Sequence, residues 1–153
     1  MKLGSIEYFK DMYEKMTATI TPEALERRFK YAVINPEEFK AEFEGDTKEF
    51  RKFCYDYAQS LVPGRVSAAL YSAVVSAIAK RYGVDHQVKA GYCLLTSSST
   101  YKETKENYLK KRKSGGDMLV THVYVEVGDK TYDYYGGFDK DVDHVDCERI
   151  DNV

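Results

Sequence analysis

The sequence predicts an α+β fold in which N-terminal helices and one central helix pack against a small antiparallel sheet. Two periodicities and their punctuation predict it. Val66, Ala69, Leu70, Ala73, Val74, Ala77 and Ile78 recur at helical spacing, whereas Val123, Val125 and Val127 alternate with His122, Tyr124 and Glu126 at the spacing of a strand with one buried face. Pro63-Gly64 and Gly115-Gly116 fall between the patterned segments, where breakers belong. A single domain over residues 1–153 is expected, with a helical part over 1–61 and a core over 64–150.

The elements follow in chain order. Ile6, Phe9, Met12, Tyr13 and Met16 share one helical face, so a helix is expected from about Ile6 to Met16. Thr21-Pro22-Glu23 is a cap with proline at the first helical position and starts a second helix, to about Val33. Asn35-Pro36-Glu37-Glu38 repeats that start signal, and Gly45 followed by Asp46-Thr47-Lys48-Glu49 opens a fourth helix reaching about Leu61. The central helix is expected over 65–82, because the basic pair Lys80-Arg81 suits a last turn and Gly83 suits the position beyond it. Val84 to Leu95 reads as a strand, paired over 86–95. Ser97-Ser98-Ser99-Thr100 is a loop and cap, and Lys102 to Lys113 a basic helix or excursion whose Lys110-Lys111-Arg112-Lys113 run reads as a solvated face. Strands are expected over 118–127 and 130–135, with a short one from Val145 to Ile150.

Composition excludes more than it identifies. The 23 Lys and Arg against 25 Asp and Glu leave a formal charge of -2, without the basic excess of a general nucleic-acid binder, so no nucleic-acid partner is expected. No apolar run approaches the roughly 18 residues of a membrane span, and Met1-Lys2-Leu3-Gly4 opens no signal peptide. No membrane partner and a cytoplasmic location are therefore expected. Cys54, Cys93 and Cys147 are irregularly spaced and odd in number, as reduced thiols are. Fourteen tyrosines without a tryptophan suit half-buried surfaces with polar tips.

The chemistry concentrates in the hairpin from Thr121 to Gly137. The two-residue Gly128-Asp129 loop suits a turn with positive φ at its start. Folding the strands about it is expected to bring Tyr132 and Asp133 alongside the His122 to Val123 end, so that the Asp133 carboxylate orients the His122 imidazole. An oriented imidazole is the base of a nucleophilic triad.

A helix ending at Tyr82-Gly83-Val84, a strand ending Val88-Lys89-Ala90-Gly91-Tyr92, an excursion, then His122-Val123-Tyr124-Val125-Glu126-Val127 and Tyr132-Asp133 together carry a resemblance. Residues 64 to 137 resemble the transglutaminase-like branch of the papain-like fold. That core often reads as a cysteine-headed helix, a strand ending in Gly-Tyr, a His-Ala-Trp-Val-Glu-Val strand and an aspartate shortly after. The resemblance implies that His122 and Asp133 are catalytic and that the chemistry is acyl transfer or amide hydrolysis on a protein or peptide.

The nucleophile departs from that pattern. The family's cysteine heads the central helix, where the dipole and imidazole favour thiolate. Here the same register holds Val66, or Ser67 one residue on. Ser67 is a candidate nucleophile and equally a helix cap. Cys54-Tyr55-Asp56-Tyr57-Ala58 resembles a Cys-x-Asp-Tyr-Ala segment of some bacterial transglutaminase-like peptidases, but lies in mid-helix. Cys93 has the better geometric case, because its strand is expected to run antiparallel to the one beginning at His122. The rival expectation is a degenerate copy that keeps the fold and binds a protein partner without catalysis.

Other candidates are weaker. Asp139, Asp141 and Asp143 open like a calcium loop, yet His144 stands where its glycine belongs and Ile150 where its glutamate does. No metal and no cofactor are expected. His86 and His144 read as lone, satisfied or exposed histidines, and Cys147 as a thiol without a partner.

Overall fold

The computed structural model describes residues 5–21, 23, 41, 43, 45, 48–62, 64–115, 120–137 and 140–151. Among them are four helices, α1 (Ile6–Ala18), α2 (Lys48–Leu61), α3 (Ala68–Arg81) and α4 (Tyr101–Lys113), and four strands, β1 (Gln87–Leu95), β2 (His122–Val127), β3 (Lys130–Tyr132) and β4 (Val142–Arg149). The fold is α+β, and the strands form one antiparallel sheet in the order β3-β2-β1-β4. The helix expected from Thr21 to Val33 and the Asn35-Pro36 start signal lie outside the described residues. Among the described residues no helix is long and apolar enough to cross a membrane.

The central helix α3 is buried all round, with α1 and α2 on one side and β2 on the other. Residues 69–79 are all buried, so the apolar stripe read from the sequence is only part of its contact surface. Alanine and serine between the larger residues let neighbours approach its backbone. Complete burial of Val74, Val75 and Ile78 contributes about 1.5–3 kcal/mol each. Its two buried serine hydroxyls are satisfied: Ser72 donates to the Val123 carbonyl at 3.2 Å, and Ser76 lies 2.5 Å from the Tyr13 hydroxyl and 2.8 Å from His86 Nε2, whereas the buried Tyr71 hydroxyl has no hydrogen-bond partner among the described residues. Ser67 caps the helix by accepting from Leu70 N at 3.1 Å, and Gly83, at φ +69°, ends it.

On the sheet, Val123, Val125, Val88 and Ala90 are fully buried. Gly128 opens the β2–β3 turn at φ +61° as expected, and a two-residue turn then dictates the register Val127↔Lys130, Glu126↔Thr131, Val125↔Tyr132. Tyr132 therefore sits opposite Val125, three residues from His122, and not alongside the His122 end as the sequence suggested. β4 starts three residues earlier than expected and pairs with β1, where Cys93 faces His144. A one-residue bulge interrupts that ladder near Asp146, whose φ is +54°. A Cβ on Gly91 would meet Cys147 Sγ at 2.5 Å and Cys147 Cα at 2.7 Å, so the bulge closes onto a position only glycine can fill.

Candidate functional site

The site begins with the parity of three strands. In β2, His122 and Tyr124 point away from the valine face that packs on α3. Gly91 of β1 is the register partner of His122, and Cys93, two residues on, is the partner of His144. His122, Cys93 and His144 therefore share one face of the sheet. Asp133 follows the last residue of β3, where the chain leaves the ladder and bends back over that face.

There the three polar side chains meet. His122 Nε2 hydrogen-bonds Asp133 Oδ1, and His144 Nε2 bonds the other carboxylate oxygen at 2.6 Å. One carboxylate thus accepts from two imidazoles, whose rings are 6.2 Å apart and 18° from parallel. His122 and Asp133 are 3% and 7% exposed, so these bonds are made almost out of water. Burial pushes the Asp133 carboxyl up, but the hydrogen bonds and charge of both imidazoles outweigh it and hold the group below the usual aspartate value. Tyr124 stacks on His144 at 3.9 Å, and the edge of Tyr135 meets His122 at 5.4 Å.

Two clefts reach this cluster. One of about 260 Å³ is lined by His122, Arg65, Val66, Ala68, Tyr134 and Tyr135, at the start of α3. The other, about 300 Å³, opens on Asp133 and His144 between Arg51, Lys130 and Asp141. Nδ1 of each imidazole has no hydrogen-bond partner among the described residues.

None of the three candidate nucleophiles hydrogen-bonds the His122 imidazole. Cys93 shares its face, but its Sγ lies 3.8 Å from Thr121 Oγ1, and burial pushes the thiol up to about 12 against the opposing Thr121 bond. Ser67 is exposed, and its Oγ already accepts the Leu70 N–H. Cys54 is fully buried within α2, and burial pushes its thiol up. Val66 and Ala68 line the same cleft as His122, and neither carries a group that can attack.

His144 is the site residue that sequence reasoning missed. The strand read from Val145 began one residue too late to include it. The other lone histidine is satisfied: His86 Nδ1 bonds the Val84 carbonyl at 3.0 Å and Nε2 bonds Ser76. Asp143, from the rejected calcium pattern, accepts from Tyr101 at 2.5 Å and Lys105 at 2.8 Å, tying β4 to α4; Asp139 lies outside the described residues. Cys147 does have neighbours, the Val145 and Tyr92 carbonyls at 3.6 and 4.0 Å. Comparison with protein-family models, curated proteins and solved structures finds no match for the chain.

Proposed function

We propose that the chain is a cytoplasmic, transglutaminase-like domain that binds a protein or peptide segment in the cleft at the start of α3 and performs no acyl transfer. The observation that carries this is the cleft at the start of α3, which His122 lines together with the inert side chains of Val66 and Ala68. An aspartate-held imidazole activates a nucleophile only within hydrogen-bond reach, roughly 2.6–3.2 Å for oxygen and a little more for sulfur. Methyl groups in that place leave the imidazole without a proton to take. What remains is a cleft rimmed by Tyr134, Tyr135 and Arg65, which offers aromatic area and a cation to a peptide.

A second reading, thiol hydrolysis or acyl transfer through Cys93, His122 and Asp133, draws on the face that Cys93 and His122 share. It requires Cys93 to move toward the ring and lose a proton that burial holds.

Restoring the missing group tests the first reading. In Ala68→Cys the new thiol stands in the first turn of α3 beside His122, and it should alkylate at neutral pH faster than Cys93 or Cys147, with the advantage abolished by adding His122→Ala. A new thiol no faster than the native ones would count against the family reading. Binding is tested with peptides selected from a displayed random library. Tyr135→Ala and Arg65→Glu should release them, and retention by both variants would remove the cleft as the binding site.

A further inference from the structure

We propose that His122, Asp133 and His144 together hold one divalent transition-metal ion of the zinc and cobalt class. The three ligands come from separate segments, β2, the bend after β3, and β4, and their donor atoms all lie within 4.8 Å of one another. Two imidazole nitrogens and a carboxylate oxygen suit zinc, cobalt or iron(II) better than calcium or magnesium, which prefer oxygen throughout. Three protein ligands with a fourth position open to solvent is the pattern of zinc sites that do more than brace a fold. The site stands apart from the peptide reading, because it needs neither Val66 nor Ala68.

The framework supports that assignment. His122 and His144 sit on β2 and β4, which both pair with the β1 strand between them, and Tyr124 fixes the His144 ring by stacking at 3.9 Å. A tetrahedral ion with bonds of about 2.0–2.1 Å separates its ligand atoms by roughly 3.3 Å. The His144–Asp133 pair at 2.6 Å must open by roughly 0.7 Å to reach that separation, and His122–Asp133 by more. Asp133 lies beyond the last ladder bond of β3, so it can supply that movement. The 300 Å³ cleft over Asp133 and His144 gives the ion a path, with Asp129 and Asp141 offsetting the cations at its rim.

The proton balance is self-contained. A neutral imidazole that donates to the carboxylate does so from Nε2; when the ion takes the Nε2 lone pair, that proton moves to Nδ1. Both Nδ1 atoms lack a partner among the described residues, so neither bond to the protein has to break to receive it. By contrast His86 has both nitrogens committed and cannot make that change without losing a hydrogen bond.

The test uses the full chain, freed of metal with a chelator and titrated with Co²⁺ and, separately, Zn²⁺. One equivalent should bind, cobalt should develop visible absorption of a low-coordinate ion, and ¹⁵N spectra should show the imidazole resonances of His122 and His144 moving while those of His86 stay. Asp133→Asn and His144→Gln should each weaken binding by at least about tenfold, the lower end of what even outer-sphere changes cost, and His86→Gln should not. Absence of stoichiometric binding, movement of His86 in place of the other two, or affinity unchanged in both ligand variants would overturn the assignment. Should a variant fail to fold, the wild-type imidazole spectra decide alone.

Discussion

The molecule contains two histidine clusters, and they are built on opposite principles. Around His86 every partner is neutral: the Tyr13 hydroxyl meets Ser76 Oγ, Ser76 meets His86 Nε2, and Nδ1 meets the Val84 carbonyl. This relay joins α1, α3 and the loop before β1, and leaves no ring atom uncommitted. Around Asp133 a carboxylate is shared by two imidazoles, each retaining one uncommitted nitrogen and each lining a cleft. A saturated cluster holds elements together. A half-saturated one has capacity for a further ligand, and its burial makes that capacity costly to keep without use.

The contrast is most easily broken at its charged member. Asp133→Ala removes the carboxylate that buried His122 and half-buried His144 both bond and should destabilise the protein by about 3 kcal/mol, as loss of one partner from a buried pair does; the urea midpoint measures it. Gly91→Ala comes next, because its Cβ would fall 2.5 Å from Cys147 Sγ and 2.9 Å from the Asp146 carbonyl. Backbone on that side must shift, at about 2 kcal/mol. Ser76→Ala breaks the neutral relay and leaves Tyr13 and His86 each short of a partner, for about 1–2 kcal/mol. Ser67→Ala is smallest, about 1 kcal/mol as the loss of a helix cap, with no change in cleft binding.

Acid titration separates the clusters without a deletion. Burial, aided by Lys80 and Arg149, holds His86 below its ordinary value, against the opposing Val84 bond and Asp151 charge. The unfolded chain therefore takes that proton first, and the contribution of His86 is full above about pH 6.5 and declines as pH falls from there. Asp133 is also held below its ordinary value, so its contribution is present above about pH 4 and is lost as pH falls through the folded value. Stability measured against pH should decline in two windows. His86→Gln should flatten the upper one and Asp133→Asn the lower.

The sequence made the fold legible wherever periodicity and punctuation agreed. α3 announces itself by spacing, Lys80-Arg81 and Gly83, and the β2–β3 hairpin by Gly128-Asp129 between alternating runs. Tyr132 was misplaced although the turn that sets its register was recognised: counting back from Gly128-Asp129 puts it opposite Val125. Asp133 follows from the same count: one residue past the last bonded pair it stands opposite Tyr124, on the His122 face and diagonal to the imidazole. His144 was hidden differently. Its place on the His122 face depends on a strand boundary and on pairing with β1, and neither is a local property of the residues around it.

The measurement that bears most directly on the proposal that His122 activates no nucleophile is the alkylation rate of each native cysteine against pH, in wild type and in His122→Ala. Half-exposed Cys147 should react first, buried Cys93 and Cys54 slowly, and Cys93 with a midpoint far on the alkaline side, since burial raises its thiol to about 12. His122→Ala should leave all three rates unchanged. Rapid reaction of Cys93 near neutrality, slowed by His122→Ala, would contradict this and restore Cys93, His122 and Asp133 as a working triad.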